Sequence, residues 1–358
     1  MIEYIFIRPT RYCTTGCQHC FLGKERSNKY KMSLEDVDKI YEKIDEYYEN
    51  NKNLKKPLIV LHGGEPILMG EKWLDHFFNK FKNYQILIQT SLYPLFDKEY
   101  EERRKYYDLF KKYNVIVGSA WDFFGVRKYK GSSKKYEEKL LNIFKELNNN
   151  DIKLGIYITM TKKLLNNIEA AYEWLEKNIE LFRTRVSLES YINVDNYVEE
   201  LNITNEEVSQ ILIKFFLLDE KNNFKVFGDF YKHFAEIMKK NEKTELITYS
   251  RCPYNLLMID PEGETFNCSI KKFDKNDSFG NIYKDSLKDI LLNKNRMKWI
   301  IFMEKQMEVC KGCEFKNICN GGCYIRKEQF IKEDGVNRNN CPGYYPFLKF
   351  FKERQKFV

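Results

Sequence analysis

The stretch Tyr4-Ile-Phe-Ile-Arg8, followed by Cys13-Thr-Thr-Gly-Cys17-Gln-His-Cys20, is where the fold is decided. The short apolar run reads as a β-strand, and the three cysteines sit on the loop leaving its C-terminal end. Parallel α/β folds usually keep their sites at that end. Spacings of three and two residues let three thiols reach one small inorganic centre from a single loop. On a cubane of four irons, three thiolates leave one iron without a protein ligand, and chemistry takes place at that vacancy. Taken alone, the triplet also allows a zinc knuckle or redox thiols.

The rest of the chain narrows this choice. Its 358 residues suit one large domain and a smaller one, and 43% apolar content supports a true core. The net charge of +8 comes from lysines dispersed among acidic residues, a solvated surface that does not point to a nucleic-acid partner. No signal peptide opens the chain, and no run approaches the ~18 apolar residues of a membrane span. Ten cysteines at short spacings suggest metal in a reducing compartment, not disulfides, and a cytoplasmic location without a membrane partner.

Strand-like runs at 4–7, 58–61, 85–89, 115–119, 155–159 and 185–190 alternate with helical patterns at 33–52, 71–83, 97–113, 134–149, 166–178 and 204–218. Ser33 and Thr204, the latter with Glu207 three residues on, read as helix N-caps. Six βα repeats predict an α/β fold with a parallel sheet. They are too few for an eight-stranded barrel, so the expectation is a partial (β/α)6 barrel over residues 1–225. A polar, helical linker is expected over 226–250, with its helix near 229–241. A small α+β domain follows over 251–358, with a β-hairpin at 256–260 and 264–267 and a helix at 286–295.

At the end of the second strand stands His62-Gly63-Gly64-Glu65-Pro66, where the glycines allow close backbone approach and Glu65 offers a carboxylate to an ammonium group. Together with C-x3-C-x2-C, this resembles the radical S-adenosylmethionine (SAM) superfamily. The resemblance implies that Cys13, Cys17 and Cys20 hold a SAM-binding 4Fe–4S cluster and that Gly63, Gly64 and Glu65 hold the methionyl amine. It places His19 beside the adenine, Ser91 and Ser119 among polar SAM contacts, and Arg127 on the SAM carboxylate. It also implies reductive cleavage of SAM to a 5′-deoxyadenosyl radical, with a flavodoxin- or ferredoxin-type protein as electron donor.

The later thiols are Cys252, Cys268 behind Gly263, Cys310, Cys313, Cys319, Cys323 and Cys341. Their order resembles the SPASM domain, which binds two auxiliary 4Fe–4S clusters and brings the expected total to three. The resemblance assigns Cys310, Cys313, Cys319 and Cys341 to one cluster. It assigns Cys252, Cys268 and Cys323 to the other, whose fourth ligand the sequence leaves open.

Two substrate classes compete. The first strand begins at residue 4, with no leader-binding domain ahead of it, and the chain is compact and aromatic-rich. These features suit a small-molecule lyase similar to queuine lyase, acting on a 7-deazaguanine base. The alternative is a peptide-modifying SPASM maturase that forms a thioether or other crosslink. Anaerobic sulfatase maturases carry an Asp after the cysteine of the Gly-x4-Cys element; Ser269 stands there here, against that particular reaction. A non-catalytic iron–sulfur carrier is the third reading, and it leaves Glu65 without a purpose.

Overall fold

The computed structural model describes residues 2–184, 186–192, 198–240, 252–270, 274–319, 321–326, 341 and 344–354. Arg185, expected to open the sixth strand, and 241–250 of the expected linker lie outside the described residues.

Eight strands form one sheet: β1 (Tyr4–Ile7), β2 (Leu58–Leu61), β3 (Ile86–Gln89), β4 (Ile116–Ala120), β5 (Leu154–Met160), β6 (Val186–Ser190), β7 (Leu256–Ile259) and β8 (Thr265–Phe266). Their order is β6-β5-β4-β3-β2-β1-β7-β8, an open sheet with β6 and β8 at its edges. All six expected strands pair in parallel with their neighbours. Their near-continuous apolar runs are what a sheet covered on both faces requires. The expected hairpin is present as β7 and β8, with Met258 opposite Phe266. Its surroundings differ from a detached small domain. Strand β7 pairs in parallel with β1, Tyr4 against Leu256, so the hairpin lengthens the sheet.

The helices are α1 (Leu34–Glu49), α2 (Glu71–Lys80), α3 (Tyr100–Lys112), α4 (Ser133–Asn149), α5 (Lys162–Asn166), α6 (Ile168–Asn178), α7 (Asn205–Lys221) and α8 (Gly228–Lys240). In the C-terminal part follow α9 (Cys252–Asn255), α10 (Leu287–Leu291), α11 (Lys294–Gln306), α12 (Lys316–Cys319) and α13 (Tyr345–Arg354). Ser33 and Thr204 close capping boxes with Asp36 and Glu207. Helix α1 then buries Val37, Ile40, Ile44 and Tyr48, one stripe at helical spacing.

The helix expected over 166–178 appears as α6, and a separate short helix, α5, precedes it; Thr161 caps α5 by accepting a hydrogen bond from the Leu164 amide, and Asn167, at φ −135°, lies between the two. The helix expected over 286–295 is broken. Asn293 leaves the helical region and caps α11, which separates it from α10.

Asp219, fully buried on α7, ties this layer together. Its carboxylate accepts from the Tyr172 hydroxyl at 2.7 Å and from the Val226 and Phe227 amides at 2.9 and 2.8 Å, just ahead of α8. Asp219→Ala leaves three donors, two of them buried, without their acceptor and is expected to destabilise the fold by about 3 kcal/mol, read as a lowered midpoint in urea unfolding.

Candidate active site

One cavity opens at the C-terminal edge of the six parallel strands, and every strand from β1 to β6 or the loop after it contributes to its wall. Cys13, Cys17 and Cys20 come from the loop after β1, Gly63, Gly64 and Glu65 from the loop after β2, and Thr90 and Ser91 from beyond β3. Gly118 and Ala120 of β4, Tyr157 and Thr159 of β5, and Glu189 and Ser190 of β6 complete the far side.

The glycine pair acts on protein first. A Cβ on Gly63, whose φ is +141°, would sit 2.3 Å from Arg8 Cγ, and one on Gly64 would sit 2.3 Å from the Tyr12 carbonyl oxygen. The Gly64 and Glu65 amides donate to the Thr10 and Tyr12 carbonyls at 3.0 and 2.8 Å. The two missing side chains therefore let the β2 loop lie directly on the chain leading to Cys13.

Glu65 is 1% exposed. It accepts from the Ile67 amide (3.1 Å), the Thr90 hydroxyl (2.6 Å), the Ser91 amide (2.9 Å) and the Ser91 hydroxyl. Burial pushes its carboxyl pKa upward, and the donors on Ser91 and Thr90 pull against that shift without cancelling it. An incoming ammonium would favour the charged form. Ser91 also lies 2.8 Å from the Thr15 hydroxyl, inside the cysteine loop. Its hydroxyl thus orients Glu65 and joins it to the triplet.

Arg127 Nε donates to Asp122 at 2.5 Å, and His19 Nε2 lies 3.4 Å from the same carboxylate oxygen. Burial alone would raise the Asp122 pKa; Arg127 and His19 outweigh it and hold the group at about 2. Arg127 lines the cavity, and its Nε is taken up by Asp122. Burial lowers the His19 pKa. It lowers that of His62 to about 3, with Arg8 adding to the effect, so His62 is a neutral ring at ordinary pH. Phe21 stacks on His62 at 5.5 Å, forming an apolar wall.

Ser119 corrects the sequence reading. It lies between Gly118 and Ala120, both of which line the cavity, and it is absent from that lining. Alternation along β4 turns its side chain to the opposite face of the sheet, where it is buried and its hydroxyl has no partner. Sequence reasoning also passed over Thr15, Thr90, His62 and Glu189. Glu189 and Thr90 sit at or just past a strand's end, a position the strand boundaries themselves mark.

The donor set fits the implied cofactor. Three thiols and a buried carboxylate line one cavity, and the Nδ1 atoms of His19 and His62 are buried there without partners.

None of the ten cysteines is part of a disulfide. Cys252, Cys268 and Cys323 are buried. After burial itself, Cys268 and Cys323 are the neighbours that raise the Cys252 pKa, so these three lie together. Cys313 donates its amide to the Cys310 carbonyl at 3.0 Å, folding that pair into one turn.

An open parallel sheet that gathers cysteines and a buried carboxylate at its strand ends has the layout of a radical SAM enzyme. Family comparison agrees: residues 7–175 match the radical SAM superfamily, and 251–314 match the SPASM iron–sulfur cluster-binding domain. The chain carries a radical SAM domain over residues 7–175 and a SPASM domain over residues 251–314, which together imply SAM and 4Fe–4S clusters as cofactors. It is 22% identical to the cysteine-type anaerobic sulfatase-maturating enzyme of Clostridium novyi (strain NT), over 96% of this chain and 94% of that protein. The fold is similar to native anSMEcpe with bound AdoMet and Cp18Cys peptide, with TM-score 0.75, 16% identity and 99% coverage of both chains. It is also similar to Streptococcus suis SuiB bound to precursor peptide SuiA, with TM-score 0.61, 16% identity, and coverage of 94% of this chain and 74% of SuiB.

Two substitutions test the geometry. Glu65→Gln should weaken SAM binding about ten- to a hundredfold, the worth of a charge-assisted bond of ~1.5–3 kcal/mol. Because the Glu65 pKa is raised, affinity in the parent protein should fall as pH drops through that raised value, and calorimetry on Glu65→Gln should lose this dependence. Ser119→Ala should leave SAM affinity within about twofold of the parent and should not lower stability, since it removes a buried hydroxyl without a partner.

Proposed function

We propose that this protein is a radical SAM enzyme that abstracts hydrogen from a peptide side chain. The similarity to peptide-bound neighbours, extending through the auxiliary-cluster region as well as the barrel, carries this reading. In the proposed arrangement Cys13, Cys17 and Cys20 hold the SAM cluster and Glu65 takes the methionyl ammonium. His19 and the Phe21–His62 stack enclose the adenosyl group. When bound, the cluster and SAM supply a 5′-deoxyadenosyl radical. The chain's own residues fix the cofactor against the substrate and exclude water, which is how positioning lowers a barrier.

Ser269 directs the chemistry away from sulfatase maturation, because a serine hydroxyl cannot replace a carboxylate as base at neutral pH. A thioether or other crosslink is the better match. The lyase reading finds no support among the relatives. Its aromatic argument also weakens, because Phe77, Phe78, Phe110, Phe144, Phe215 and Phe216 are fully buried in the core. Cys310, Cys313, Cys319 and Cys341 are proposed to close one auxiliary cluster, and Cys252, Cys268 and Cys323 to hold the other. Ten cysteines clustered at short spacings suit a reducing, cytoplasmic setting. Among the described residues no helix is long and apolar enough to cross a membrane.

Reconstituted enzyme should contain about twelve irons per chain, three cubanes of four; stoichiometric zinc with little iron would contradict the assignment. With deuterated candidates, label should enter 5′-deoxyadenosine from a peptide and not from a 7-deazaguanine base. Transfer from the base alone would overturn the peptide reading.

A further inference from the structure

Helix α11 has two contrasting faces. On the inner one, Met303 packs with Cys268 and Tyr324, and Trp299 and Ile270 lie against this group. On the outer one, Ile301 is 56% exposed and Phe302 36%. Phe302 meets Trp299 edge-on with ring centroids 5.4 Å apart, and Trp299 meets Tyr324 in the same way at 5.4 Å. A line of touching rings therefore leads from solvent to Cys268. Helix α9, which begins at Cys252, packs on α11, and its Tyr254 hydroxyl donates to Glu304.

The same buried group borders the active site. A second cavity reaches Cys268 and Ile270 and shares Phe21, Leu22 and Ile270 with the SAM cavity. Exposed lysines outnumber exposed carboxylates along the helix that carries this ring path. Lys294, Lys298, Lys305 and Lys311 are exposed on or just beyond α11, against Glu304 and Glu308. An apolar centre with a charged rim is the form of a transient protein contact, and the rim decides which partners are steered onto it.

We propose that the outer face of α11 docks a small acidic electron-transfer protein of the flavodoxin or ferredoxin type, with Phe302, Trp299 and Tyr324 joining it to the iron–sulfur site at Cys252, Cys268 and Cys323. The proposal rests on the reading of those three cysteines as cluster ligands. In the step implied, one electron leaves the reduced partner and one is gained by the cluster, with no bond made or broken. A second copy of this chain would bring the same lysines face to face, and like charges oppose that pairing.

The test uses reconstituted holoenzyme and purified flavodoxin. Calorimetry should give a Kd that weakens with added salt, and Ile301→Asp/Phe302→Asp and Lys298→Glu/Lys305→Glu should each raise it about tenfold or more. Trp299→Leu should leave Kd within about twofold while slowing stopped-flow electron transfer from flavodoxin hydroquinone about tenfold, and Trp299→Phe should restore most of the rate. Iron per chain, the cluster EPR spectrum and SAM affinity should match the parent in every variant. Full iron with unchanged Kd in both surface variants would overturn the docking site. A dimer that these variants convert to monomer would overturn it too, by assigning the face to self-association. Iron short by one cubane would overturn the cluster reading and the electron path with it, while the Kd series still scores the docking surface separately.

Discussion

A buried ion pair, Arg8 with Asp260, sets the frame in which both cysteine regions are held. Arg8 follows β1 directly and donates to Asp260 at 2.9 Å, and its other terminal nitrogen donates to the Ser269 carbonyl at 2.6 Å, one residue after Cys268. Arg11 adds bonds to Asp260 and to both oxygens of Glu262. Desolvating such charges is unfavourable by several kcal/mol per ion, and removal of one partner from a buried pair typically costs ~3–5 kcal/mol. The pair is thus weak as a source of net stability and strong as a geometric restraint. The Arg8 stem also lies where a side chain on Gly63 would have to go. One residue touches the β2 loop with its stem and the Cys268 loop with its head.

Much of this layout was legible in the sequence, because its signals are local. Apolar runs of four to seven residues mark the strands, Ser33 and Thr204 mark helix starts, and the position of Glu65 at a strand end identified its carboxylate. Other features depended on contacts distant in the chain. Nothing in Leu256–Ile259 announces that it pairs with β1 and not with a sheet of its own. Ser119 was misread for a different reason: a strand end supplies two faces, and a one-residue difference in register decides which one sees the ligand. The glycines at 63 and 64 were read as making room for a ligand, while their tightest neighbours are Arg8, Arg11 and Tyr12.

The charges in the cavity are arranged by neighbours more than by composition. Glu65 is surrounded by neutral donors and remains shifted toward protonation, whereas Asp122, equally buried, is held ionised by Arg127 and His19. Two buried carboxylates thus have opposite tendencies: Asp122 already has its cations from the protein, while Glu65 is held by neutral hydrogen-bond donors.

The Arg8–Asp260 pair also has a consequence in time. Its partners are separated by 252 positions, so at ~5–20 residues per second the hairpin emerges from the ribosome about 10–50 seconds after the first cysteine loop. During that interval β1 lacks the neighbour that later flanks it, and both that strand pairing and the Arg8 ion pair can form only once the hairpin has arrived.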